Sequence, residues 1–146
     1  MTRIFFKYCT LALFVVIASC TPDPAIQIGD TLEIALGKKY SDYVVKLNAS
    51  VKGDTSALHN FLLVDDLYDG AAYDHGWVLI ELMQKLDDET FASGLSKLNK
   101  EQLDNLNMYF KGGLDIHAKS NELASGYLIS FNALGIANEN KIKAPK

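Results

Sequence analysis

The chain has three prolines in 146 residues, at positions 22, 24 and 145, and none between Ile28 and Ile136. Proline lacks an amide donor and clashes with the preceding helical turn, so this long interval holds no obligatory helix breaker. Its punctuation is glycine, asparagine and aspartate, which suits helices joined by short connections. The spacing predicts an all-α domain of about six helices over residues 30–136, with stacked helical hairpins as one arrangement open to it.

Caps and periods place the helices. Asp30 to Glu33 has the spacing of a capping box, and Leu32, Leu36, Tyr40, Tyr43, Val44, Leu47 and Val51 then recur every three or four residues, with Gly37 a potential interruption. Gly53 ends that stripe, and Asp54 is placed to cap a helix carrying Ala57, Leu58, Phe61 and Leu62. A third helix is expected over Ala71–Leu86. It is apolar around most of its circumference, the mark of a central helix. Asp88 is expected to cap a short helix with Phe91, Ala92, Leu95 and Leu98. Asn99 and Gln102 repeat the capping-box spacing ahead of Leu103, Leu106, Phe110 and Leu114, with an end near Gly112-Gly113 or shortly after. Ser120 opens a last helix with Leu123, Ala124, Tyr127, Leu128, Phe131 and Leu134, closed by Gly135. The expected caps at 54, 88 and 120 are nearly evenly spaced, which hints at a repeat, but the tetratricopeptide signature residues are missing.

The first twenty residues differ from the rest. Arg3 and Lys7 precede a run, Tyr8–Ala18, that is almost wholly apolar and shorter than the ~20 residues of a membrane span. Ile17-Ala18-Ser19-Cys20 closes it. This segment resembles the signal peptide and lipobox of bacterial lipoprotein precursors. The resemblance implies that residues 1–19 are removed by signal peptidase II and that Cys20 carries acyl chains such as palmitate. Two or three chains anchor far more firmly than one, at ~0.8 kcal/mol per buried CH₂. It also implies that Thr21, standing where aspartate often signals inner-membrane retention, directs the protein to the outer membrane facing the periplasm in a Gram-negative envelope. In a Gram-positive cell the anchor would lie on the outer face of the single membrane. Residues 20–29, with Pro22 and Pro24, then read as the lipidated cysteine and a short tether, and residues 137–146 as a frayed basic tail.

Removing residues 1–19 leaves 127 residues with 12 basic and 18 acidic side chains, a net charge of −6 with histidine neutral. That balance argues against nucleic acid and against anionic headgroups bound through a broad basic surface. With Cys20 acylated and Cys9 lost, no cysteine remains for a disulfide, so the core alone must hold the fold.

The stretch VDDLYDGAAYDHGW, residues 64–77, is the most unusual of the body. From Asp65 through Glu89 there are eight acidic residues against Lys85 alone. Solvated surface accounts for most such runs. Interleaved tyrosines and a tryptophan add side chains that anchor protein interfaces, so Asp65, Asp66, Tyr68, Asp69, Tyr73, Asp74 and Trp77 are the candidate residues for docking a basic protein partner. As a metal site, Asp69, Asp74, His75 and His59 supply suitable ligands, but their spacing matches neither an EF-hand loop nor a zinc helix. Asp74 and His75 are adjacent, and adjacent residues on a helix do not face each other. No nucleophile elbow, glycine-rich phosphate loop or cofactor motif occurs, so an enzyme is not expected. The function that fits is a lipid-anchored envelope protein holding a protein partner, with the general character of an immunity lipoprotein against an envelope-targeted toxin. The alternative is a structural or accessory envelope scaffold.

Overall fold

The fold follows from where each helix finds partners for its end groups. A computed structural model describes residues 22–116, 123 and 125–136. The expected signal peptide and lipobox, the expected Ser120 cap, Ala124 and the basic tail lie outside the described residues. Helices are α1 (Asp30–Leu36), a 3₁₀ turn (Gly37–Lys39), α2 (Tyr40–Val51), α3 (Thr55–Leu62), α4 (Asp69–Lys85), α5 (Asp88–Leu95), α6 (Lys100–Ile116) and α7 (Leu128–Ala133). The chain is an all-α domain, and no strand occurs among the described residues.

Several ends are local, as the spacing predicts. The Asp54 carboxylate accepts the Ser56 and Ala57 amides at 2.9 Å. Asn99 and Gln102 complete a capping box, each side chain accepting the other's amide at 3.0 and 2.9 Å. Gly37, at φ +49°, divides α1 from α2. Gly135, at φ +73°, ends α7 in a Schellman turn, its own amide bonded to Asn132 and that of Ile136 to Phe131.

Other ends differ from expectation because a cap comes from elsewhere in the fold or the expected cap is engaged there. Asp30 is already helical and Gly29 is the N-cap, without a side-chain bond. Asp74 of α4 reaches this end of α1 instead, accepting the Thr31 hydroxyl and, at 3.3 Å, the Leu32 amide. Asp87, not Asp88, caps α5, accepting the Thr90 amide at 2.7 Å. Asp88 serves α7, accepting the Ile129 and Ser130 amides at 2.9 Å and the Ser130 hydroxyl at 2.5 Å. Tyr127, at φ −126° and ψ 52°, interrupts the last helix. The phase of the apolar stripe breaks there, so Leu128 faces outward, 56% exposed, while Phe131 and Leu134 are buried.

α4 is central, with Val78, Leu79, Ile80, Leu82 and Met83 fully buried, and it packs on α1, α2, α5 and α6. It starts two residues before the expected Ala71, and Leu86 caps its end. α2 and α3 form a hairpin. Beyond it, α4 packs chiefly on α6 and α5 on α7, so helices two apart in order meet. The α4–α6 seam explains why α6 runs on to Ile116 through Gly112-Gly113. A Cβ on Gly76 would stand 2.7 Å from the Gly113 amide nitrogen and nearer still to the Tyr109 carbonyl oxygen. The glycines let two backbones touch where any side chain would hold them apart.

Candidate functional site

The connection from α3 to α4 is pinned at its middle and free at its flanks. Leu67 is buried, and its amide donates to the Tyr109 hydroxyl at 3.2 Å. On either side stand Asp65, Asp66, Tyr68 and Asp69, all exposed, with Tyr68 at 72%. Asp66 and Asp69 adopt left-handed backbone, at φ +58° and +50°. Aspartate tolerates this better than most residues because its short polar side chain can bond locally. None of the three aspartates forms an ion pair with a described residue. Burial pushes the Tyr109 phenol up; its bond to Leu67 opposes that, while Asp65, Asp66 and Tyr68 add to it.

Two clefts flank this connection. One, of about 570 Å³, runs between α2 and the connection, with buried Leu36 and half-buried Leu63 beside Lys39, Lys46, Asp65 and Asp66. Lys46 is paired with Asp42 at 2.6 Å. The acidic residues therefore share a groove with lysines that are distant in sequence, which the charge count along 65–89 does not reveal. The second cleft, of about 200 Å³, places Val64 and Asp65 beside Gln102, Asn105 and Leu106 of α6.

The remaining candidates from the 64–77 stretch scatter, because successive residues of α4 point to different neighbours. Tyr73 is 46% exposed, and its ring lies over Gly112 of α6. Asp74 turns the other way, to α1. Trp77 is half-buried, in a shallow groove of about 280 Å³ with Ala25, Ile26, Gln27, Glu81 and Lys85. His75 is fully buried, its Nδ1 lying 2.9 Å from the Tyr43 hydroxyl. The rings of Tyr43, Phe61 and Tyr109 surround it with centroids 5.1–5.7 Å away. Its Nε2 has no hydrogen-bond partner among the described residues. Burial lowers its pKa to about 3, so the imidazole is neutral. Burial likewise raises the Tyr43 phenol well above its usual value, with Asp74 and Tyr40 adding to it.

Asp74 and His75 thus serve separate packing contacts, one with α1 and one with Tyr43, and they form no acid–base pair. Among the described residues no group of three or more His, Cys, Asp or Glu is placed to hold a metal ion, and no helix is long and apolar enough to cross a membrane. Comparison with protein-family models, with curated proteins and with solved structures finds no match for this chain.

Proposed function

We propose that this chain is a lipid-anchored envelope protein that binds a protein partner through the α3–α4 connection, with Cys20 as the acylated residue. One observation carries the binding surface: Asp65, Asp66 and Asp69 make no ion pair among the described residues, around a tyrosine that is 72% exposed. Unpaired carboxylates raise the association rate of a basic protein, and an exposed tyrosine supplies contact area at low entropic cost. Asp74 is engaged at α1 and Trp77 lies beside the N-terminal segment, so the site narrows to Asp65, Asp66, Tyr68 and Asp69, with Tyr73 at its edge. Lys39 and Lys46 across the groove favour a partner that brings a carboxylate of its own among its basic groups. An inhibitor of an envelope-targeted toxin, as an immunity lipoprotein is, has this character.

The test is capture from native envelope extracts by the full-length acylated protein beside an Asp65→Asn/Asp66→Asn/Asp69→Asn variant. The expected result is one basic protein retained by the wild type and lost by the variant, with retention weakening as salt rises. Equal capture by both proteins overturns the acidic surface and assigns the chain to an envelope scaffold.

A further inference from the structure

The stretch that reads as a free tether is built into the domain. The Asn48 side chain of α2 clasps it from both sides, accepting the Ala25 amide at 2.6 Å and donating to the Asp23 carbonyl at 2.9 Å. Ile26 follows, 5% exposed within the core cluster. Ala25, Ile26 and Gln27 then run beside Trp77 and Lys85 of α4. The clasp therefore takes hold three residues after Cys20. At ~3.6 Å per residue, three fully extended residues reach about 11 Å, no more than about twice the depth of one headgroup layer.

We propose that the domain lies directly on the bilayer, with the face that carries Asn48, Trp77 and Lys85 against the phospholipid headgroups. The inference rests on the reading of Cys20 as the lipid anchor. Acyl chains in the membrane and a clasp within about 11 Å of them hold this face of the domain nearest the bilayer. Tryptophan is suited to this depth, with an apolar ring and one polar N–H, and the Lys85 ammonium can reach a phosphate while Glu81 lies beside it. The same geometry aims the acidic connection outward. At 100° per residue, Asn48 lies about 160° around α2 from Lys46, and Lys46 lines the groove that holds Asp65 and Asp66. A basic partner would then approach from the aqueous side, unhindered by the membrane.

Trp77 is the only tryptophan of the chain, so its fluorescence reports on this face alone. The full-length acylated protein is reconstituted into phosphatidylcholine vesicles, either unmodified or brominated high on the acyl chains, and flotation is measured on the same samples. The expected result is flotation with the vesicles and emission reduced about twofold by the brominated lipid, as for a ring at headgroup depth. A long Gly-Ser insertion between Thr21 and Pro22 should relieve most of that quenching while flotation persists. Flotation with unquenched Trp77 overturns the docking and leaves the anchor standing. Equal quenching with and without the insertion overturns the short reach as its cause. A protein that does not float overturns the Cys20 anchor, and the docking with it.

Discussion

In the connection to α4 and at that helix's first residue, Asp65, Asp66, Tyr68 and Asp69 stand exposed and make no ion pair among the described residues. Five residues further on, Asp74, His75, Gly76 and Trp77 are drawn into contacts with α1, with an aromatic cage, with α6 and with the N-terminal segment. Both groups belong to one acidic, aromatic run, and their compositions hardly differ. The difference is geometric. A loop pinned at one residue leaves its neighbours free, whereas a helix packed on several sides uses nearly every direction it points in. Substitutions in the first group should therefore alter recognition and spare stability, and those in the second should do the reverse.

The largest effect that separates the two is expected at the seam. Gly76→Ala should cost about 3 kcal/mol in urea unfolding, since the new methyl meets two backbones that cannot rotate aside. A loss below about 0.5 kcal/mol, the level of an ordinary surface change, would mean that α4 and α6 part easily, and the contrast with the connection would fail.

His75 sharpens the comparison through pH. Its folded pKa is about 3 against an unfolded value of 6.5, so between those values the unfolded chain binds the extra proton. Stability should fall as pH drops below 6.5, with a slope approaching about 1.4 kcal/mol per pH unit, and level off near pH 3. Equilibrium unfolding of His75→Phe should lose that slope. An unchanged slope would mean that the cage admits the imidazolium.

A smaller loss is expected where a carboxylate of the same acidic run is engaged. Desolvation pushes the Asp88 carboxyl up, but bonds from the Ser130 hydroxyl and from the Ile129 and Ser130 amides outweigh it and leave the pKa lowered. Its contribution is therefore complete above the ordinary carboxylate range and is lost as pH falls through the lowered value. Asp88→Ala should cost about 1–2 kcal/mol at neutral pH, as for a lost cap. The smallest effect belongs to the connection: the triple Asn variant at 65, 66 and 69 should stay within about 0.5 kcal/mol of wild type by thermal melting. If it melts below Asp88→Ala, those aspartates hold the fold, and the proposed surface loses its basis.

What could be read from the residues was whatever acts over one turn. Asp54, the Asn99–Gln102 box and Gly135 are local devices, and each stands where its spacing placed it. Asp30 and Asp88 misled because a capping spacing tells neither that a distant side chain caps the helix nor that the expected cap is engaged with another helix. Asp74 caps α1 from 42 residues away, and Asp88 belongs to a helix 41 residues on. Gly112-Gly113 looked like a stop signal, and only the facing Gly76 shows that the helix must pass through. Two prolines suggested a spacer at 20–29, and nothing local announces that Asn48 binds it. Of the candidate site, the exposure of Asp65, Asp66 and Asp69 was legible from the polar cluster. The dispersal of Tyr73, Asp74 and Trp77 was not, because it depends on which helix occupies each side of α4.

The bond between Asp88 and α7 also sets an order of assembly. A helix of six residues does not nucleate alone, so Leu128–Ala133 winds only once α5 offers its carboxylate. A chain that emerges N-terminus first presents α5 well before α7, and the acceptor waits for its donors. A chain cut short before residue 128 would leave Asp88 without them and α5 without the cover of Phe131 and Leu134. The last described helix is in this sense a latch, closed by a side chain placed about forty residues earlier.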